Sequence, residues 1–307
     1  MKKNSQHSVT LKSEKEMRKH KIISFVILFI VCAIWLFPFI YVLGMSFRTV
    51  NDMVLYPSSI FPHKDGWTLD NYSVFFKITD GKMDMLLNAM INSVITTALN
   101  VIISLIITVF AAYSFVFMRY KGKMFIYTLI IATMAVPTVI GFAPMFSMYV
   151  SIGKQSNILD NILYFYSWLI FPGVAGSFNL MIMVNCFRMI PKDVVESARS
   201  DGASELTVFR RVVIPVAKSS MLVCALFSFN GSWNNFMFPQ LVVAMQSDSL
   251  SHSTVTVSLM GWITNTDISF RGVAMATCVV SLVPLVIMYI VTQNKMIDGL
   301  ASTGVKG

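Results

Sequence analysis

The stretch Met85-LLNAMINSVITTALNVIISLIITVFAAYSFVF-Met118 contains no Asp, Glu, Lys or Arg. It is longer than the roughly 20 apolar residues that an α-helix needs to cross about 30 Å of hydrocarbon. Because lipid offers no hydrogen-bonding partners, a spanning segment must pair its own backbone groups, and a helix does so. The stretch therefore predicts a transmembrane helix.

Five further stretches of the chain are free of charge in the same way, and each also exceeds the roughly 20 residues that a spanning helix needs: Ile22–Phe47, Met124–Gly153, Asn161–Phe187, Ser219–Ser247 and Gly272–Asn294. The 307 residues are 55% hydrophobic and only 13% charged, whereas soluble domains carry roughly 25% charged residues. A soluble protein would have to bury six such runs with almost no amphipathic stripe. The sequence therefore predicts an all-α, polytopic membrane protein of about six transmembrane helices.

Most of the 24 Lys and Arg residues fall on one side of the membrane if the N-terminus is cytoplasmic. They cluster in residues 1–21, 119–123, 188–218 and 295–307, and cytoplasmic segments are enriched in basic residues. We therefore predict a multi-pass protein with both termini in the cytoplasm. Its parts are a basic tail (1–21), a transmembrane domain (22–294) and a C-terminal tail (295–307). The net charge of +9 then reflects topology, and no nucleic-acid partner is predicted.

The sequence predicts no catalytic, metal or cofactor site. The four cysteines lie within the apolar runs and lack metal-binding or redox spacing. No phosphate-binding Gly-x-x-x-x-Gly-Lys-Ser/Thr motif is present, and no ionisable residue is predicted deep in a span, where proton relays would need one. A membrane-embedded enzyme would require a cluster of such groups. If the protein transports a solute, its energy must come from a partner.

Two connections between the predicted spans are long. Residues 48–84 contain Pro57, Pro62 and Gly66 and an apolar segment ending at Phe76, which favours a short packed cap on the outer side over a disordered loop. Residues 188–218, here called the coupling loop, form the longest predicted cytoplasmic connection.

The first half of the coupling loop has the signals of a short helix. Pro191 ends the preceding helix, and Asp193 and Glu196 can form a capping box for a helix through Ser200. Gly202 then stands where a helix C-cap requires a left-handed residue.

The second half of the coupling loop predicts another short helix. Ser204 can cap a helix from Glu205 to Val213, which Pro215 ends. The alternative is a basic helix resting on lipid headgroups, an interpretation that explains Arg210 and Arg211 but not the spacing of the earlier residues.

With Ile214-Pro215, the segment Pro191-KDVVESARSDGA-Ser204 resembles the "EAA" loop of permease subunits in bacterial ATP-binding-cassette importers. Ser replaces the first Ala of the Glu-Ala-Ala triplet, and the Leu before the closing Pro is missing. The resemblance implies that the first short helix docks into a separate ATPase subunit and that ATPase closure rocks the transmembrane helices. The implied coupling residues are Glu196, Ser197, Ala198, Asp201, Gly202 and Pro215.

Other segments narrow the resemblance to carbohydrate importers of the maltose type, in particular the smaller permease. They are Pro38 with Ser46-Phe47, Asn92-Ser93, Gly231-SWNN-Phe236 with Pro239, and the ending from Met296 to Gly307. The resemblance implies a bacterial cell membrane, a second permease subunit, an ATPase subunit dimer and an extracytoplasmic sugar-binding protein. The same machinery carrying another small polar solute is the alternative.

Polar but uncharged residues predict a possible substrate pathway: Asn230, Trp233, Asn234 and Asn235. Hydrogen bonding between helices and packing of the indole explain these residues equally well. In the family, the C-terminal tail also reaches the ATPase pair. This implies a possible second ATPase contact at Gly299, Gly304, Lys306 and Gly307.

Overall fold

The computed structural model describes residues 2–75, 78–79, 82–83, 85–247 and 252–304. Within these ranges the chain is almost entirely helical, and a two-residue antiparallel strand pair is the only sheet. The elements are α1 Lys2–Ser46, α2 Val50–Leu55, α3 Asp70–Ser73, β1 Ile78–Thr79, β2 Lys82–Met83, α4 Met85–Phe117, α5 Lys123–Ala132, α6 Phe142–Gln155, α7 Ile162–Ile170, α8 Ser177–Arg188, α9 Lys192–Ser200, α10 Glu205–Val208, α11 Ile214–Trp233, α12 Met237–Val243, α13 Val255–Ile263 and α14 Arg271–Gly304.

The predicted all-α membrane fold is confirmed. In the described part of the chain, four helical stretches are long and apolar enough to cross a membrane, and the number rises to six if each of two bent helix pairs is one span. One pair bends by 95° around Pro137, and the other bends by 50° just after Pro172. Proline lacks a backbone N–H and clashes with the preceding turn, which explains why the helices break at these positions.

The charge-free stretch Ser219–Ser247 does not form the single helix that was predicted for it. The helical stretch that could cross a membrane here runs from Glu205 to Trp233, after which the chain breaks before α12. Asn234 ends α11, and its side-chain amide donates back to the backbone carbonyl of Asn230 at 3.2 Å and to Asn230 Oδ1 at 2.6 Å. Local side-chain bonds of this kind favour helix ends over helix interiors. The Trp-Asn segment therefore lies at a helix terminus.

Both terminal tails continue as helix in the described residues. The first helix begins at Lys2, within the predicted basic tail, and the last continues to Gly304. Lys306 and Gly307, which belong to the predicted second ATPase contact, lie outside the described residues.

The chain divides into two compact units. One comprises the residues up to Tyr72 with Thr266–Val279, and the other comprises Ser73–Asn265 with the residues from Val280 onward. In the first unit, the α1 side chains from Met17 to Tyr41 are exposed. Residues 48–72, here called the Arg48 cap, follow α1 and form a packed structure, which confirms this part of the cap predicted for residues 48–84.

The Arg48 cap is organised by one buried arginine. Arg48 Nε donates to Asp52 Oδ2 at 2.5 Å, and both side chains are buried. Arg48 Nη2 donates to the carbonyls of Asp52 (2.8 Å) and Tyr56 (2.7 Å), and Nη1 donates to that of Ser59. Asp52 Oδ1 accepts from the backbone N–H of His63 at 3.2 Å. The cluster thus satisfies the buried charges.

The core of the second unit lies where α4, α8 and α11 pack together. Its buried side chains come from these helices and from the coupling loop: Val109, Ala112, Tyr113, Phe117, Leu180, Met183, Val184, Cys186, Phe187, Ile190, Val195, Val208, Phe209, Val213, Ala217 and Cys224. A second cluster joins α6, α7 and α12 around the buried Tyr149 and Phe165. The coupling loop is therefore anchored directly on the transmembrane helices.

Candidate functional site

The short helix α9 is held by its apolar face. Val195 is buried in the core cluster, and Ala198 packs against that cluster from a half-buried position. The opposite face, which carries Glu196 and Ser197, is exposed. This separation of faces leaves α9 packed against the core on one side and exposed on the other.

The predicted capping box at the start of α9 is wrong. Pro191 is the N-cap residue, and no side chain caps the helix there. Asp193 instead lies in the first turn, where a carboxylate is stabilised by the partial positive charge of the helix N-terminus. Glu196 is exposed, and its carboxylate lies 3.5 Å from Arg119 Nη2.

The left-handed residue predicted at Gly202 is confirmed. Gly202 has φ +80°, and its N–H donates to Arg199 O at 3.0 Å. The next N–H, of Ala203, donates to Ala198 O at 3.1 Å. These two bonds form a Schellman motif, which fixes the angle between α9 and the chain that follows. Asp201, in the helix-ending position before Gly202, is exposed.

The cap predicted at Ser204 is confirmed, but the predicted end at Pro215 is wrong. Ser204 Oγ accepts from Thr207 N at 3.3 Å and starts α10. A π-helical turn, Phe209–Val213, then joins α10 to α11 without interruption, and Pro215 lies exposed in the first turn of α11. The wider π turn changes the hydrogen-bond register just where proline would otherwise break the helix.

The residues of the predicted substrate pathway lie in different surroundings. Trp233 is buried, its Nε1 donates to Ser281 O at 3.1 Å, and its ring stacks on Phe229. Asn230 and Asn234 are exposed and hydrogen-bonded to each other. The structure therefore favours packing as the role of Trp233.

A cavity of about 430 Å³ lies within the second unit. Of the four predicted pathway residues, Asn235 lines it. Its other polar lining residues are Asn100, Thr138, Asn179, Ser228 and Ser232, and its aromatic ones are Phe142, Trp168, Phe178, Phe227 and Phe238. None of the described lining residues carries a formal charge.

Two asparagines of this cavity were not predicted as site residues. Asn179 is buried, and its Nδ2 donates to Ser228 Oγ at 2.8 Å, while its Oδ1 has no hydrogen-bond partner among the described residues. Asn100 Nδ2 donates to Ile170 O at 3.0 Å. The sequence carries only a weak signal for them, because hydrogen bonding between helices explains an amide within a charge-free run equally well. Asn92, in contrast, lies outside the cavity lining, and its amide joins two other segments by donating to Ser253 O and accepting from Tyr166 OH.

The helical membrane fold, the loop packed on the helices and the uncharged polar cavity are typical of a membrane transport component. A family model described as "Binding-protein-dependent transport system inner membrane component" matches residues 104–295, more than half of the chain. The protein belongs to this family.

The chain is similar to curated proteins over nearly its full length. It is 27% identical to the diacetylchitobiose uptake system permease protein of Streptomyces coelicolor, over 94% of this chain and 89% of that protein. It is 24% identical to the maltodextrin transport system permease protein of Bacillus subtilis, over 94% and 97% of the two chains.

A solved structure has the same fold. It is the crystal structure of a bacterial ABC transporter involved in the import of the acidic polysaccharide alginate, with a TM-score of 0.73 and 24% sequence identity. The match covers 90% of this chain and 96% of that chain.

Proposed function

We propose that this chain is a permease subunit of an ATP-driven importer that moves a sugar or oligosaccharide into a bacterial cell by alternating access. The observation that carries the proposal is the family match over residues 104–295, which includes the whole coupling loop. The names of the similar proteins, permeases for diacetylchitobiose and maltodextrin, support a carbohydrate as the solute.

The cavity supports a neutral sugar. Amide and hydroxyl groups such as those of Asn179 and Ser232 can pair with sugar hydroxyls, and aromatic faces such as that of Trp168 can cover the apolar face of a sugar ring. An anionic solute would favour fixed positive charge along the path, and the described lining residues provide none. A neutral oligosaccharide therefore fits better than a phosphate or an acidic sugar.

The solute class can be tested with the complete transporter reconstituted in liposomes. We expect ATP-dependent uptake of a neutral oligosaccharide, from a panel that contains maltodextrins, chitobiose, arabino-oligosaccharides, an acidic oligosaccharide and an amino acid. Asn179→Ala should raise the KM for that sugar by up to about tenfold, the effect of one neutral hydrogen bond. The exposed Asn230→Ala serves as the control. Uptake of the amino acid alone would support the alternative solute and contradict the proposal.

The proposed importer contains other proteins besides this chain. The exposed face of α9 would dock on one subunit of an ATPase dimer, where ATP would be hydrolysed. A second permease subunit would complete the pathway, and an extracytoplasmic sugar-binding protein would deliver the solute. The exposed apolar side chains of α1 support contact with membrane lipid and with a neighbouring subunit.

Both termini are proposed to be cytoplasmic. In a variant without native cysteines, a cysteine placed at Lys64 or Lys154 should react with an impermeant thiol reagent in intact cells. A cysteine placed at Lys121 or Ser204 should react only after the membrane is opened. The opposite labelling pattern would show that the basic residues do not set the orientation.

The C-terminal tail is proposed as a second ATPase contact through Gly299, Gly304, Lys306 and Gly307. Truncation after Gly299 should lower sugar-stimulated ATP hydrolysis while the complex still assembles. If assembly and stimulation are both unchanged, the tail is an ordinary chain end.

A further inference from the structure

We propose that Arg199, Glu205 and Tyr113 form a clamp that transmits the movement of α9 to the transmembrane helix α4. The proposal rests on the proposed function, in which α9 receives the movement of an ATPase. The three residues lie outside the set predicted from the sequence, and they act as positioning residues.

The clamp is centred on the carboxylate of Glu205. Arg199 Nε donates to Glu205 Oε1 at 2.8 Å, and Arg199 Nη2 donates to Oε2 at 3.1 Å. Tyr113 OH donates to the same Oε2 at 2.5 Å. One carboxylate therefore joins the last turn of α9, the first residue of α10 and the C-terminal third of α4.

A second contact strengthens the link to α4. Arg199 Nη2 also lies 3.4 Å from the carbonyl oxygen of Phe117, the last residue of α4. Carbonyl groups at a helix C-terminus lack partners within the helix and carry partial negative charge, so they favour a nearby cation. The arginine thus contacts both the side chain of Glu205 and the end of the helix that the clamp would move.

Packing alone would leave the direction of movement loosely defined. Val195 and Val208 anchor the coupling loop by apolar contact, and apolar contact is non-directional. A bidentate arginine–carboxylate pair has a fixed fork geometry, and the Tyr113 ring is held edge-on against Phe209 with ring centroids 5.2 Å apart. The clamp therefore fixes the orientation of α9 relative to α4, which the apolar contacts alone do not fix.

The partial exposure of Arg199 and Glu205 indicates that the clamp transmits movement rather than stabilises the fold. The side chains of Arg199 and Glu205 are 31% and 51% exposed, and pairs exposed to this degree contribute little to folding stability. Tyr113 is buried, and Tyr113→Phe removes the hydroxyl while keeping the ring that packs against Phe209. Coupling can therefore be tested separately from folding.

The experiment measures sugar uptake and ATP hydrolysis together in the complete, reconstituted transporter. Tyr113→Phe should leave complex assembly and basal ATP hydrolysis unchanged and should lower the sugar transported per ATP hydrolysed about fivefold. Arg199→Lys, which retains the charge but not the fork, should have a similar effect. The double variant should lose less than the product of the two single effects, because both act on one carboxylate.

Tyr120→Phe is the matched control, because it removes a hydroxyl from an exposed tyrosine just after α4 and should change nothing. Unchanged sugar per ATP in Tyr113→Phe, or fully multiplicative effects in the double variant, would overturn the clamp. Glu196→Lys, on the proposed docking face, separates this result from a failure of the proposed function. If Glu196→Lys abolishes coupled uptake and Tyr113→Phe does not, the clamp alone is wrong. If the wild-type complex takes up no sugar with ATP, the proposed function is wrong.

Discussion

The Arg48 cap and the coupling loop are each built around an arginine paired with a carboxylate, but the two pairs differ in burial and in reach. Arg48 and Asp52 lie four residues apart and are 0% and 3% exposed. Arg199 and Glu205 are 31% and 51% exposed, and they join different helices. The first pair closes a local structure, and the second links elements that the proposed mechanism moves together.

The difference in burial gives the two arginine–carboxylate pairs different roles. A buried pair must satisfy nearly all its hydrogen-bonding groups, as Arg48 does with four oxygen acceptors, and it becomes strongly destabilising when one partner is removed. A half-exposed pair contributes little to stability, and its geometry is what matters. Substitutions in the cap should therefore change stability, and substitutions in the coupling loop should change transport.

The largest effect on stability is expected from Arg48→Ala. The substitution leaves the carboxylate of Asp52 buried without its cation, which typically costs about 3–5 kcal/mol, and the Arg48 cap should unfold locally. Limited proteolysis of the purified complex, with mass identification of the fragments, should show cleavage within residues 48–72. Lys64→Ala removes an exposed charge from the same cap and should leave the proteolysis pattern unchanged. An intact cap in Arg48→Ala would show that the buried pair is dispensable.

The cap should also lose stability in acid. Burial raises the pKa of Asp52, but the hydrogen bonds from Arg48 and His63 and the Arg48 charge outweigh it, and this pKa lies below its ordinary value of 3.8. A lowered carboxylate pKa contributes stability above the unfolded pKa, which is lost as the pH falls through the folded value. Proteolysis of the cap should therefore be constant from neutral pH down to about pH 4 and increase only below it. Asp52→Asn should remove this pH dependence, and a transition near neutral pH would contradict it.

In the coupling loop, Gly202→Val should have a moderate effect on stability and a large effect on transport. A left-handed conformation costs a non-glycine residue roughly 1–2 kcal/mol, although a Cβ at Gly202 would have open space around it. Gly122 offers a matched control, because it has φ +79° and equally open surroundings. Both variants should insert into the membrane and lose similar stability, but Gly202→Val alone should lose most sugar uptake. Equal loss of uptake in both would show that strain alone explains the effect.

The sequence was sufficient where a local physical requirement decides the structure. Charge-free runs predicted apolar helices, because a chain in lipid must pair its own backbone groups, and Gly202 and Ser204 end and begin helices because the backbone at those positions requires such residues. The same local reasoning was wrong at Pro215, where the buried Phe209 and Val213 hold a π turn that continues the helix.

The cavity and the clamp could not be predicted because they depend on residues far apart in the chain. Asn100 and Asn179 come from different helices, and neither has a sequence neighbour that marks it as part of a site. Tyr113 and Glu205 meet across 92 residues. Such pairs follow from how α4, α8 and α11 pack, which hydrophobic periodicity does not specify.

The smallest effect on stability is expected from breaking the ion pair between Glu196, on the exposed face of α9, and Arg119, which follows α4. The two side chains lie 3.5 Å apart and are 56% and 92% exposed. Breaking a pair this exposed should change the free energy of unfolding by less than about 1 kcal/mol, so thermal unfolding of Arg119→Ala and Glu196→Ala should match the wild type. The two variants should differ in function, because Glu196 is proposed to contact the ATPase and Arg119 is not. Binding of the ATPase subunit to the permease, measured in detergent, should weaken in Glu196→Ala and persist in Arg119→Ala. Equal weakening in both would mean that the ion pair, and not the carboxylate alone, forms the contact.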